Sequence, residues 1–191
     1  MAIEIEKKYR LTPDEWAALP ARLRETGATR AGAEFEENTL YGGGLLDNSR
    51  AVLRLRRLNG RAVLTYKERF PTASGIKHQR EDETAIADAQ AMADILAALG
   101  YRPTLVYEKR RETWHLGAAE VVLDELPFGL FAEIEGPEEA ILSAEKTLGL
   151  ETAATEHDTY PHLTARHGTR CGELIEARFP DKVTAGDLTN L

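Results

Sequence analysis

One cysteine, Cys171, stands in 191 residues, so a disulfide framework is excluded. No apolar run approaches the roughly 20 residues that a membrane-spanning helix needs. Charged residues appear from Glu4 onward, which leaves no basic, apolar, small-residue leader, and a cleaved secretion signal is not expected. These absences together make cytoplasmic residence the expectation. Positive charge is also short: 24 Lys and Arg stand against 32 Asp and Glu, a formal net charge of −8. A general nucleic-acid surface or an anionic-membrane surface would need a basic footprint, so neither partner is expected. None of the 5 histidines forms an HxxxH pair, and with a lone cysteine a structural zinc is not expected. The GxxxxGK[ST] loop that cradles phosphate in many nucleotide-binding proteins is absent. There is no fixed-period repeat and no low-complexity tract.

Against these absences the chain is 42% hydrophobic and 29% charged, ordinary for a single globular domain. Thr12-Pro13-Asp14-Glu15 reads as a helix start, with a hydroxyl cap, proline in the first turn and glutamate three residues on. The helix carries Trp16, Leu19 and Leu23 toward a core and stops near Gly27, with Pro20 expected to kink or divide it. Asp88 opens a second helix ending at Gly100, and Pro137 a third ending at Gly149. Strands are expected at about 35–41, 51–58, 61–68, 76–86, 104–116, 119–125 and 130–135, after an opening strand through Leu11. Asn59-Gly60 is the clearest hairpin turn. Trp16 and Trp114 read as packing residues. Residues 164–191 read as a C-terminal appendage, partly flexible, with a short helix at Gly172 to Arg178.

The strands share a pattern. In the opening strand Glu4, Glu6 and Lys8 alternate with Ile3, Ile5, Lys7 and Tyr9, which places two carboxylates and an ammonium on one face. Arg54 and Arg56 oppose Leu53 and Leu55; Lys67 shares a face with Thr65; Lys109 and Arg111 share another. Acids return at Glu81 and Glu83, at Asp124, and at Glu133 and Glu135 around Ile134. On any one strand this would be the wet side of an ordinary antiparallel sheet. Taken jointly, it points to a sheet closing into a barrel, apolar residues outward under the helices and charges facing a shared interior. Unpaired charges inside would carry several kcal/mol of desolvation each, so the interior is expected to be a hydrated bore for a charged ligand.

Glu4-Ile5-Glu6-Lys7-Lys8 resembles the ExExK signature of the CYTH superfamily, the triphosphate tunnel metalloenzymes, which include class IV adenylate cyclases, thiamine triphosphatases and inorganic triphosphatases. The resemblance runs over about residues 1–163. It takes in Arg54 and Arg56, Lys67, Glu81 and Glu83, Lys109 and Arg111 before Trp114, Asp124, Glu133 and Glu135 in FAEIEG, and TYPHL at Tyr160. Two positions depart from it: Gln79 stands where arginine is frequent, with Lys77 or Arg80 available to compensate, and Thr159 stands where serine is usual. The resemblance implies an α+β, mainly β fold, an eight-stranded antiparallel β-barrel tunnel with helices packed outside, formed by residues 1–163.

It also implies acids that bind a divalent metal and bases that grip a triphosphate. The metal candidates are Glu4, Glu6, Glu133 and Glu135, supported by Asp124, Glu81 and Glu83; oxygen donors suit Mg2+ or Mn2+. The phosphate candidates are Arg54, Arg56, Lys109 and Arg111, assisted by Lys8 and Lys67. Lys67 and Glu135 are the candidates for positioning an attacking water. The expected partner is a small triphosphate such as tripolyphosphate, ATP or thiamine triphosphate, and the expected assembly a monomer or homodimer. Hydrolysis of a phosphoanhydride is the leading expectation, cyclisation of ATP with release of pyrophosphate the second, and binding without turnover the third.

Overall fold

The structure, a computed structural model, describes residues 5–47, 51–70 and 78–180. The chain runs β1 (Glu6–Leu11), α1 (Pro13–Glu25), β2 (Thr29–Gly42), β3 (Ala51–Leu58), β4 (Arg61–Phe70), β5 (His78–Ile86), α2 (Ala89–Ala98) and β6 (Arg102–Leu116). It continues through β7 (Ala119–Leu126), β8 (Gly129–Glu135), α3 (Glu138–Leu148), β9 (Ala154–Thr155), α4 (Tyr160–His167), β10 (Thr169–Cys171) and β11 (Leu174–Ala177). The main path of the sheet is β5-β4-β3-β2-β6-β7-β8-β1-β9. Every pairing along it is antiparallel, from β1 against β8 and β9 to β4 against β5. Among the described residues β5 and β1 form no ladder with each other, so the ring of hydrogen bonds is open there.

Local chemistry sets the element ends. The Thr12 hydroxyl accepts the Glu15 N–H at 3.3 Å while the Glu15 carboxylate accepts the Thr12 N–H at 2.8 Å, the reciprocal box that satisfies two otherwise unpaired donors. Asp88 caps α2 by accepting from Gln90 and Ala91 N–H, each at 2.9 Å. Leu58 pairs with Arg61 across Asn59-Gly60, and Gly60 takes the φ of 75° that this tight turn requires. Pro20 lies within α1, which remains one helix.

Alternation then divides the sheet into two faces. The apolar face carries Tyr9, Leu11, Val121, Leu123, Ala132 and Ile134 under α1 and α3, whose Leu19, Leu23, Ile141 and Leu148 complete this core. Tyr41, Leu55 and Ala62 lie under Leu96 of α2. Each large apolar side chain buried this way contributes about 1.5–3 kcal/mol relative to leaving it exposed. Trp114, 2% exposed, belongs to the first core, as a packing residue should. The fourth helix lies on the opposite face, where Tyr160 and Leu163 meet Leu40, Leu105, Tyr107, Leu126 and Phe131.

Two expected elements differ in the structure, and α4, β9 and β10 have no counterpart in the sequence reading. β2 begins at Thr29 rather than near 35, because its first half pairs with the long β6 although TRAGA shows no alternation. Residues 174–177 form a strand rather than a helix: β7 pairs with β6 only from Arg110 onward, and β11 fills the vacant edge beside Leu105–Tyr107, running parallel. No helix among the described residues is long and apolar enough to cross a membrane.

Candidate functional site

Strand register, rather than proximity in sequence, collects the charged groups. Glu6 and Lys8 pair with Glu135 and Glu133; Glu133 pairs with Val122, and Asp124 with Arg111. Lys109 pairs with Glu36, Asn38 with both Tyr107 and Arg56, and Leu40 with Arg54. Arg54 pairs with Thr65, which pairs with Glu83, while Lys67 pairs with Glu81. Since side chains alternate along each strand, these paired residues share the face opposite α1, α2 and α3. Glu6, Lys8, Arg54, Arg56, Lys67, Glu81, Glu83, Lys109, Arg111, Asp124, Glu133 and Glu135 all lie on it. Glu4 lies outside the described residues, as does Lys77. Arg80 bonds Asp82 at 2.6 Å on the other face, away from the site.

The middle of this face is a buried ion cluster. Asp124, with no exposed surface, accepts from both Nε and Nη2 of Arg111 and from the Tyr160 hydroxyl at 2.8 Å, with Lys109 Nζ at 3.5 Å. Glu133 accepts from Arg111 at 2.8 Å and lies 3.1 Å from Lys8. Glu36, 2% exposed, stands 3.4 Å from Lys109 and 3.7 Å from Arg56, and accepts from Asn38 at 3.1 Å. The Tyr160 ring lies under two ammonium groups, Lys8 at 4.1 Å and Lys109 at 5.4 Å. Charges this deeply buried do not occur on the wet side of a flat, uncovered sheet, and here α4 covers the face through Tyr160 and Leu163.

Burial and pairing act against each other here. Burial alone would raise the Asp124 and Glu36 carboxyls, but Lys109 and Arg111 beside Asp124, and Lys109 and Arg56 beside Glu36, outweigh it and hold both below the ordinary carboxylate range. Burial lowers Lys109, against the pull of Asp124 and Glu36. Burial, then the neighbouring Asp124 charge, pushes the Tyr160 hydroxyl well up, so it remains a donor.

A second group lies on β3, β4 and β5. Lys67 Nζ is 2.9 Å from Glu81, and Thr65 donates to Glu83 at 3.0 Å. Arg54, Arg56, Lys67 and Arg111 keep partial exposure, whereas Lys8 and Lys109 do not. The Nε atoms of Arg54 and Arg56 are buried and donate to no acceptor among the described residues. Buried N–H donors without a hydrogen-bond acceptor are costly.

The acids separate in the same way. Glu6 and Glu135, both exposed, face each other across β1 and β8, with Glu133 one step inward. Glu81 and Glu83 stand on β5 beside Lys67 and Thr65. Among the described residues no three His, Cys, Asp or Glu side chains already surround a common point. The donor chemistry nonetheless fits a hard divalent cation. Mg2+ is commonly held by one or two carboxylates together with substrate phosphates, and Glu6 and Glu135 offer oxygen donors at the wet end of the face.

Sequence reasoning passed over Glu36, Asn38 and Tyr160 as site residues. Glu36 was legible in principle from the alternation Glu34-Phe35-Glu36, but the adjacent Glu37 hides which acid turns inward. Tyr160 stands in the TYPHL motif, and only α4 folding back onto the sheet brings its hydroxyl to Asp124.

Comparisons with known proteins agree with this architecture. A Methanocaldococcus jannaschii protein provisionally named an adenylate cyclase is 28% identical over 150 residues, covering 76% of this chain and 83% of that protein. A solved protein of Pyrococcus horikoshii superposes with a TM-score of 0.68 at 26% identity, covering 84% of this chain and 98% of that one. A Hippeastrum protein, assigned as an adenylyl cyclase and found to have a dominant triphosphatase activity, superposes with a TM-score of 0.66 at 20% identity, covering 91% and 99%. The open ladder between β5 and β1 is thus consistent with a barrel-like tunnel, and the expected fold class holds. The model of the CYTH domain matches residues 2–160, and the chain belongs to the CYTH family, whose members act on triphosphates as triphosphatases or adenylate cyclases.

Proposed function

We propose that this protein hydrolyses a phosphoanhydride bond of a triphosphate compound with the help of Mg2+ or Mn2+. The observation that carries the reading is the set of bases on one face of the sheet, with the buried Arg54 and Arg56 Nε–H groups lacking hydrogen-bond acceptors among the described residues. Arg54, Arg56 and Arg111, still partly exposed, grip phosphate oxygens through their planar forks. Lys8 and Lys109 add positive charge from beneath without leaving their carboxylate partners. Asp124 and Glu36 act by holding those bases in position, and Glu81 holds Lys67.

A bound divalent cation would neutralise phosphate charge, and Glu6, Glu133 and Glu135, with Glu4 from the same motif, are the residues that would hold it. Lys67, released from Glu81 as the anion enters, orients water for in-line attack on the terminal phosphorus, with Glu135 as the alternative group for this task. Preorganised charge aimed at the departing phosphate oxygens stabilises the transition state more than the ground state.

The cyclase reading is favoured by one observation, the name carried by the 28% identical relative. There the ribose 3′-hydroxyl would attack the α-phosphorus of ATP. Incubating the purified protein with Mg2+ or Mn2+ and tripolyphosphate, ATP or thiamine triphosphate, then reading products by phosphorus NMR, separates the readings. Orthophosphate is the expected product; cyclic AMP with pyrophosphate would replace hydrolysis by cyclisation, and saturable binding without turnover would leave a sensor.

A further inference from the structure

We infer that Tyr160 is a positioning residue for the central ion cluster, and that residues 168–179, beyond the family match, form the clamp that holds it there. The inference rests on reading this face as a triphosphate site. Tyr160 touches the cluster three ways: its hydroxyl donates to Asp124 at 2.8 Å, and its ring lies 4.1 Å from Lys8 Nζ and 5.4 Å from Lys109 Nζ. One residue thereby fixes an acid and two bases from β7, β1 and β6. Its ring is in turn fixed edge-on against Phe131, with centroids 5.4 Å apart.

Tyr160 opens α4, and α4 is short, so its position depends on the segment C-terminal to it. The Thr164 hydroxyl donates to the Tyr160 carbonyl at 2.8 Å, and Thr164 is completely buried. At Gly168 the chain passes so close to β11 that a Cβ there would stand 2.8 Å from Ile175 Cγ2 and 2.9 Å from the Glu176 carbonyl oxygen. β10 and β11 then turn the chain back along the free edge of β6 at Leu105–Tyr107. The far end is locked by Arg178, which donates to Glu37 at 2.6 Å, to Glu108 at 3.1 Å and to Glu176 at 3.0 Å. Just beyond it, the Phe179 N–H donates to Glu108 at 2.8 Å, and Arg110 lies 3.9 Å over the Phe179 ring. The matched family region ends at residue 160, so the pieces that lock α4 lie beyond it.

A double-mutant cycle on the full chain tests this, with calorimetric titration of tripolyphosphate in Mg2+ as the binding readout and hydrogen exchange of the α4 amides without ligand as the structural one. Tyr160→Phe keeps the ring and removes the bond to Asp124; it should weaken tripolyphosphate about tenfold. Arg178→Ala, at a half-exposed position remote from Asp124, should weaken it about threefold and speed exchange of the α4 amides. In the Tyr160→Phe background Arg178→Ala should weaken binding less than it does in the wild type, because the hydroxyl contact to Asp124 is already gone and only the ring contacts remain to be loosened. Equal effects of Arg178→Ala in both backgrounds, or none, would overturn the inference. Unchanged α4 exchange in Arg178→Ala would overturn it as well. If wild-type protein fails to bind tripolyphosphate, the triphosphate reading falls, while the exchange experiment still decides whether Arg178 holds α4.

Discussion

Asp124 concentrates the electrostatics of the site in one side chain, with Arg111, Lys109 and Tyr160 converging on a carboxylate that water does not reach. Removing one member of a buried pair leaves the other charge uncompensated, so Asp124→Ala should lower unfolding free energy by about 3–5 kcal/mol, read from urea denaturation. Glu36 gives the site a pH signature. Its carboxyl is held below the ordinary 4.5, against burial, by Lys109 and Arg56. The folded state therefore gives up this proton more readily than the unfolded chain. The resulting stability is complete above the unfolded value and is lost as pH falls through the lower folded one. Urea midpoints measured downward from pH 6 should decline on the acid side, and Glu36→Gln should flatten that part of the curve. The face on which a residue lies was legible in the sequence wherever alternation stood alone, as at Arg54 and Arg56. It was hidden where neighbouring acids compete, as at Glu36 and Glu37, and where a residue acts from a helix folded back onto the sheet, as at Tyr160.

At the scale of elements, α1 is the clearest case of local sequence setting structure. Thr12→Ala removes one half of its capping box and should cost about 1 kcal/mol in urea denaturation. Leu148, fully buried beneath the sheet at the end of α3, belongs to a different class: Leu148→Ala should cost about 2–5 kcal/mol, the spread reflecting how far the cavity can collapse. The three large helices and strands β3 to β8 were legible because caps, turns and alternation agree with the final fold. The first half of β2 and strand β11 were not. Thr29–Ala33 becomes strand because β6 extends past it, and Leu174–Ala177 because β6 offers a vacant edge. Such long-range pairings leave no local mark.

For the whole molecule, the antiparallel order joins two groups of strands along the β2–β6 pairing. One side carries Arg54, Arg56, Lys67, Glu81 and Glu83; the other carries Lys109, Arg111, Asp124, Glu133 and Glu135, with β1 added through β8. A polyanion gripping both sides should therefore tie them together, and tripolyphosphate at a hundred times its dissociation constant should add about 2.7 kcal/mol, seen as a rise in melting temperature. That rise should shrink as salt is added, because the contacts between phosphate and basic side chains are ionic.

The same order of strands has a consequence for biosynthesis. β1 is made well before β8, and Glu6 waits for Glu135 and Lys8 for Glu133, so the strand stays without this sheet partner until β8 has been made. During that wait its alternate charges discourage edge-to-edge sticking between nascent chains. The residues proposed to serve a ligand thus begin by keeping the growing polypeptide solitary.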